Sequence, residues 1–492
     1  MSKAKLTAAG KNLFKMVSQA AFLNPFSEER AEIDLRIAAS PGLSDPQALE
    51  AVIQKVSGAV SRLETAGNAD IRMFDKADRD IVETSFLFDI FHRLMDEFDQ
   101  FIQKQIESGE SVCPISFANN VVSVLVKRGF SEEESCRFLA IFYQMRRAFY
   151  FINNGLIGRS PSMRRLRVHL WDNIFTHDIR RYKDFLWNRM EDFSTLLLGE
   201  TGTGKGAAAA AIGRSGFIPY DNKSGCFAES FMRNFIPINL SQFPESLIES
   251  ELFGHKKGAF TGAVEDHKGV FSLCTPHGSI FLDEIGDVSI PVQIKLLQVL
   301  QERVFSPVGS HAKLRFNGRV IAATNKPLDD LRDRGQFRED FFYRLCSDII
   351  SVPPLRQRLE EDPGELNRLI THLLRRMIGE VGEEVAEQIG NTIIKGVGKD
   401  YSWPGNVREL EQAVRRILIT HQYTADEKTI KYDLKEKTIN GIHTGSLDAQ
   451  TLLVNYCYLL YKQFGTYEEV ARRTKLDRRT AKRYVLLMQK EN

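Results

Sequence analysis

Cysteine is scarce and scattered: six in 492 residues, Cys113, Cys136, Cys226, Cys274, Cys346 and Cys457, with no pair at C-x-x-C spacing. That excludes a disulfide scaffold and a zinc finger, and it fits a reducing cytoplasm. Long apolar runs are missing as well. The run at 194–198 is soon broken by glycines and charges, far short of the roughly 18 residues a bilayer crossing needs, so no membrane role is expected. Nor is there a surplus of charge of one sign, since 66 Lys and Arg against 64 Asp and Glu give +2. Any affinity for nucleic acid has to come from a local patch rather than from the whole molecule's field. The first 27 residues lack acids and carry Lys3, Lys5, Lys11 and Lys15. No long apolar stretch or cleavage site follows, so this end reads as a helix and not as a targeting peptide.

What is present is globular. Hydrophobic residues at 43% and charged residues at 26% exclude disorder as the main state, and the length suggests about three domains. Residues 1–154 read as mainly helical. Leu87, Phe91, Leu94, Phe98 and Phe101 alternate at spacings of four and three, which makes a packing stripe. Ser131 with Glu134 forms a capping box ahead of Phe138, Phe142, Met145, Phe149 and Ile152 on one helix side. Aromatic stripes of this kind usually face an interior, and a cofactor box is their rarer use. The run 121–126 fits a strand or a helix equally well. After Gly155 the texture changes, with Ser160 and Pro161 as N-cap and first helical residue. Short β-rich runs at 195–198, 235–239, 279–282, 319–323 and 349–352 then alternate with helical patterns, which predicts a mainly parallel α/β sheet. Residues 353–423 read as a helical subdomain, and 424–450 as a polar linker.

Gly199, Glu200, Thr201, Gly202, Thr203, Gly204, Lys205 and Gly206 follow an apolar strand and open an alanine-rich helix, the setting of a phosphate-binding loop. Backbone N–H groups converge on phosphate there, the helix N-terminus adds positive potential, and Lys205 reaches the terminal phosphates. Gly206 stands where a Ser or Thr hydroxyl ordinarily ligates magnesium, so another anchor has to exist. Asp283 and Glu284, at the end of a later buried strand, provide it. Asp283 is placed to hold Mg2+ and Glu284 to orient and deprotonate an attacking water. Thr324 and Asn325 end the next strand as a polar pair able to hydrogen-bond a γ-phosphate or its water. The run Asn325, Lys326, Pro327, Leu328, Asp329 brings its acid one residue too late for the guanine-reading N-K-x-D, which excludes GTP. His255, His267, Cys274 and His277 share a window but lack a repeated ligand pair, so no metal site is expected among them.

Between loop and acidic pair lie Gly258, Ala259, Phe260, Thr261, Gly262 and Ala263, a glycine-flanked tip with an apolar and a hydroxyl side chain. With these motifs in this order, the chain from about 155 to 421 resembles the bacterial sigma-54-dependent transcription activators, the NtrC-like branch of the AAA+ ATPases, whose GAFTGA loop is complete here. The resemblance implies an ATPase using ATP and Mg2+, a ring of identical subunits, in the usual case a hexamer, and contact of the 258–263 loop with sigma-54 RNA polymerase. It implies further that Asn239 restrains Glu284 until the nucleotide state is right. Arg338 and Arg344 would reach a neighbouring subunit's ATP as arginine fingers, and Arg408 would read the phosphates from the helical lid. The sequence departs from the family at Gly206, commonly Glu, and at Leu240 and Ser241, commonly Cys-Ala. Segments near 175–192 and 213–234 are longer than usual.

Charge asymmetry is confined to the C-terminus. From Arg472 to Arg483 seven basic residues face one acid, Asp477. Residues 467–474 read as a short helix with Val470 and Ala471 inward, 475–477 as a turn, and Asp477 as the cap of a second helix bearing Arg478, Arg479, Lys482 and Arg483. That is a helix-turn-helix able to contact double-stranded DNA, and it resembles the Fis-like modules that end these activators. The domains expected are therefore a helical regulatory domain at 1–154, the α/β ATPase subdomain at 155–352, its lid at 353–423, the linker at 424–450 and a DNA-binding domain at 451–492. Residues 1–154 lack the βα series, paired acids and later Lys of a phosphorelay receiver. A non-catalytic DNA-binding regulator with a degenerate ATPase fold is the rival reading, and Gly206 is its main support. A AAA+ remodeller outside transcription is disfavoured by the loop together with the terminal helices.

Overall fold

Strands that are apolar over their whole length can only be satisfied when both faces are covered. The central sheet in a computed structural model of the chain follows that rule. The structure describes residues 4–40, 42–380, 382–398, 401–423, 434–435, 438–439, 441–442 and 445–491. Among the described residues the nine strands in chain order are β1 (Thr195–Leu198), β2 (Tyr220–Asp221), β3 (Cys226–Phe227), β4 (Phe235–Asn239), β5 (Ser279–Asp283), β6 (Val304–Phe305), β7 (Leu314–Arg315), β8 (Arg319–Thr324) and β9 (Asp348–Ser351). Five of them form one parallel sheet in the order β4-β5-β8-β1-β9. All six residues of β8 are buried. β2 pairs with β3 and β6 with β7 as small antiparallel hairpins.

The chain divides into two units: residues 1–199 with 204–353, and residues 200–203 with 354–492. In the first unit, eight helices of eight or more residues precede the sheet, from Ala8–Ala20 to Pro161–Phe175. The capping box is formed, Ser131 N–H donating to Glu134 Oε2 at 2.9 Å and Glu134 N–H to Ser131 Oγ at 3.2 Å. Ser160 Oγ accepts from Met163 N–H. The ambiguous run 121–126 is helical, within Ala118–Lys127. The stripe from Leu87 to Phe101 is not one helix. It breaks at Leu94 (φ −104°, ψ 8°), between Lys76–Arg93 and Met95–Glu107. Phe98 and Phe101 remain buried because the second helix keeps the period.

These helices share a continuous apolar core with one face of the sheet, running from Phe14 through Tyr143, Ala208, Phe227 and Phe281 to Val352. The seam is built by the unusually long segment after Gly213. Tyr143 stacks on Phe227 of β3 at 4.1 Å, Ile115 N–H donates to Gly225 O at 3.1 Å, and Phe151 meets Phe231 edge-on at 5.4 Å. Arg147, with no solvent exposure, donates to the carbonyls of Arg214 (2.8 Å) and Gly216 (2.7 Å), just past the helix Lys205–Gly213. Gln144 Nε2 donates to Ser215 O, and Tyr182 Oη to Gln144 Oε1.

The second unit holds the lid helices Leu355–Glu361, Glu365–Ile378, Glu383–Val397 and Asn406–Thr420, with a buried Arg358–Glu365 ion pair at 2.7 Å. It also holds three terminal helices, Ala449–Phe464, Tyr467–Thr474 and Arg478–Glu491, packed around Cys457, Val470, Ala481 and Val485. Much of the expected linker, namely 424–433, 436–437, 440 and 443–444, lies outside the described residues. Among the described residues no helix is long and apolar enough to cross a membrane.

Candidate functional site

In a parallel sheet all strands end on the same edge, and the loops leaving that edge collect the groups that meet a ligand. Register aligns them here. Leu198 pairs with Thr324, Asp283 with Ala323, and Asn239 with Asp283. The phosphate loop after Leu198, the Asp283–Glu284 pair, the Thr324–Asn325 pair and Asn239 therefore leave neighbouring strand ends.

The loop takes the form its glycines allow. Gly202 and Gly204 have φ of 79° and 108°, a region side-chain-bearing residues avoid. The buried Lys205 Nζ donates to Gly199 O at 2.8 Å, which holds the ammonium over its own loop. Within the second unit Glu200 is gripped by Arg356 (2.9 Å, Nη1 to Oε2) and by Asn406 Nδ2 at 3.1 Å, while Val407 N–H donates to Gly202 O at 3.1 Å. A Cβ on Gly206 would meet nothing within 4 Å, so no steric demand explains that glycine.

Glu284 is the strained member. Its backbone is left-handed, φ 58° and ψ 46°, a conformation that costs a non-glycine residue about 1 kcal/mol. Its half-buried carboxylate leaves Oε2 without a hydrogen-bond partner. Burial first, and then the adjacent Asp283, push its pKa above the ordinary carboxylate value, against the pull of Lys205 and the Asn325 N–H. A buried, unpartnered carboxylate oxygen beside a lysine and a second carboxylate suits a group that must take up a proton. The same donor set, two carboxylates at a strand end, fits a hard divalent cation.

Other sequence-predicted residues are engaged differently. Asn239 has a local partner: its Oδ1 accepts from Ser241 N–H (3.0 Å) and Ser241 Oγ (2.8 Å). Thr324 is fully buried and its Oγ1 accepts from Lys326 N–H at 3.1 Å. Lys326 in turn pairs with Asp287. Arg338 is clamped on Asp340 by two bonds of 3.0 and 2.7 Å, and Arg344 donates to Leu300 O at 3.0 and 2.8 Å. Arg408 is exposed on the first turn of Asn406–Thr420. Sequence reasoning missed Arg356 and Asn406, which hold Glu200, and Gln293, whose Oε1 accepts from Arg338 N–H at 2.9 Å. Arg356 and Gln293 stand in no recognisable pattern, whereas Asn406 lies two residues before Arg408, inside the stretch 403–408 that carries the resemblance at Arg408.

The 258–263 loop is closed at its base. Gly258 N–H donates to Ala263 O (2.9 Å) and Ala263 N–H to Phe260 O (3.0 Å), with φ of 83° at Gly258 and 102° at Gly262. Below it His255 and His267 exchange both backbone bonds, and Lys256 pairs with Asp266 at 2.5 Å. Phe260 and Thr261 are exposed, while Ala263 is buried. The Phe260 ring lies edge-on to His255 at 4.9 Å. In the terminal helices Asp477 Oδ1 accepts from Arg479 N–H (2.9 Å) and Thr480 N–H (3.0 Å), capping Arg478–Glu491. Arg478, Arg479, Lys482 and Arg483 are all exposed.

A parallel sheet with a phosphate loop after one strand, a carboxylate pair after another, and a helical lid following the sheet defines a P-loop domain of the AAA+ class. Residues 179–351 match the sigma-54 interaction domain, and residues 360–446 match the AAA+ ATPase lid domain. The chain is 37% identical over 295 residues to the Nif-specific regulatory protein of Azotobacter vinelandii, covering 59% of this chain and 48% of that protein. It is 43% identical over 229 residues to the Sigma54-dependent transcriptional activator SfnR of Pseudomonas putida, covering 46% and 57%. It is 41% identical over 272 residues to the Nif-specific regulatory protein of Klebsiella pneumoniae, covering 53% and 43%. The chain thus spans about half the length of the curated relatives it matches.

Proposed function

We propose that this chain is an ATP-driven activator of transcription by sigma-54 RNA polymerase. The observation that carries the reading is the complete 258–263 loop, exposed at Phe260 and Thr261, on the same unit as Lys205, Asp283 and Glu284. The match of residues 179–351 to the sigma-54 interaction domain supports it. In this reading Lys205 neutralises the terminal phosphates of ATP and Glu284 accepts the proton of the attacking water. Asp283 holds Mg2+, which when bound supplies charge neutralisation at the phosphates. Thr324 and Asn325 orient the γ-phosphate side, Asn239 restrains Glu284 before hydrolysis, and Arg408 senses nucleotide from the lid. Arg338 and Arg344 serve an adjoining subunit's ATP in a homo-oligomeric ring, a hexamer, after release from Asp340 and Leu300. Hydrolysis moves the loop against sigma-54 so that the polymerase can open the promoter. Residues 451–492 form the helix-turn-helix domain that binds upstream double-stranded DNA through Arg478, Arg479, Lys482 and Arg483. Residues 1–154 regulate, and the protein works in the cytoplasm.

The rival, a DNA-binding regulator without hydrolysis, rests on Gly206. Magnesium-dependent ATP turnover by the purified chain, together with open-complex formation by sigma-54 polymerase on a promoter with an upstream site, tests the proposal. Absence of turnover leaves the rival standing.

A further inference from the structure

The first unit contains a cavity of about 270 Å³ that the ATPase chemistry does not use. It is a half-open cleft lined by residues of seven helices and the turns beside them, and its wall is largely aromatic, with Phe22, Phe88, Phe91, Phe142 and Trp171 among the lining residues. Apolar cavities of only about 150 Å³ stay dry and admit benzene. This one has room for a molecule of one or two rings.

Its polar groups define what the molecule can carry. Three cations reach the wall, and each has an acid. Arg146 makes two bonds to Asp99 at 2.6 and 2.5 Å, Arg30 bonds Asp34 at 2.8 Å, and Lys183 bonds Glu83 at 3.2 Å. An anionic guest would have to break one of these pairs. His92 is different. Its Nδ1 lies 2.8 Å from Phe88 O, and since a carbonyl can only accept, Nδ1 carries the proton and Nε2 is left as a bare acceptor. Burial pushes the ring's pKa down to about 3, so it stays neutral. Among the described residues no hydrogen bond reaches Nε2. A lining acceptor without a protein donor, in a wall whose cations are paired and whose Thr84 hydroxyl donates to Asp80 O, calls for a donor on the guest.

We propose that this cavity is a binding site for a small, uncharged, ring-bearing molecule with a single hydroxyl, which donates to His92 Nε2 while its ring packs against the phenylalanines. The site has a short structural connection to the nucleotide loop. Phe138, Ile141, Phe142, Met145 and Phe149 of the wall lie on Glu132–Gly155, the helix whose Gln144 and Arg147 hold the three residues following Lys205–Gly213.

Calorimetric titration of the full chain with 2-naphthol, naphthalene and 2-naphthoate tests this without reference to ATPase activity. We expect 2-naphthol to bind at least about tenfold tighter than either of the others, the difference one buried hydrogen bond makes. His92→Leu should erase the preference over naphthalene while leaving naphthalene binding in place, and Leu87→Trp, which fills the cavity, should abolish binding of all three. Circular dichroism shows whether each variant is folded, and if Leu87→Trp is not, the His92→Leu comparison still decides. No heat from any probe, 2-naphthoate binding as tightly as 2-naphthol, or a preference untouched by His92→Leu overturns the proposal.

Discussion

At the scale of single residues, Glu284 combines a left-handed backbone, a partnerless carboxylate oxygen and a raised pKa. Glu284→Gln should keep ATP binding and lower turnover by ~100-fold or more, because an amide cannot take the water's proton. Single-turnover hydrolysis close to the parent's rate would remove Glu284 from its role. The same substitution has a stability consequence whose sign follows from linkage. Folding raises the pKa above the ordinary 4.5, so the native state binds this proton more tightly than the unfolded chain. The ionised form therefore destabilises the fold at neutral pH, and that cost disappears as pH falls through the folded-state value. Glu284→Gln is thus expected to raise Tm at pH 8, with the gain shrinking toward pH 4. A gain of equal size at both pH values would show that the cost is not one of ionisation. Gly206 offers a gain-of-function counterpart. Its Cβ position is open, so Gly206→Ser should fold normally, gain up to about 1 kcal/mol from the stiffer helix start, and lower the magnesium concentration for half-maximal turnover. An unchanged magnesium requirement means the hydroxyl finds no metal there.

Among elements, the 258–263 loop and the terminal helices are both local structures with exposed tips, and the proposed interactions fall on those tips. The loop is closed by its own backbone bonds, with Thr261 exposed beyond them. Thr261→Ala should therefore leave Tm, DNA binding and ATP turnover near parental values and cut open-complex formation at least ~10-fold, the loss of about one hydrogen bond's worth of coupling. If all activities fell together, the residue would be packing instead of signalling. For Arg478→Ala with Arg479→Ala, each lost phosphate contact lowers the salt slope of DNA binding by about one. A binding isotherm that keeps its slope places recognition elsewhere. Elements were also where the sequence was most readable. Strand ends, the Ser131 cap and the Asp477 turn each depend on residues within a few positions of one another, and such signals survive without tertiary knowledge. The break at Leu94 did not show, because the apolar period continues across it and only the backbone geometry changes. Asn239 and Arg338 could be located but not oriented, since Ser241 and Asp340, both near at hand, compete for their side chains.

For the whole molecule, the main surprise is how the front helices meet the sheet. Tyr143 and Phe227 are 84 positions apart, and no periodicity links them. The length of the segment after Gly213 stands out in the sequence, but its purpose, to form the β2–β3 hairpin against which the helices pack, shows only in the fold. Arg147 tests the seam. Arg147→Met keeps the length and removes the donors, stranding the carbonyls of Arg214 and Gly216, and should cost about 2 to 4 kcal/mol. The expected observation is a lower Tm in which the helical and sheet signals shift together. A shift confined to the front helices would show that they unfold independently.

That shared seam bears on ancestry and on engineering. A front end whose rings are stacked against the β2–β3 hairpin cannot be traded like a bead on a string. Any chimera joined at residue 155 would keep the Phe227 hairpin and the Phe231 ring but lose what covers them. The exchangeable piece is discontinuous, the opening helices together with the insertion at 213–234, and any swap of the front end has to carry both.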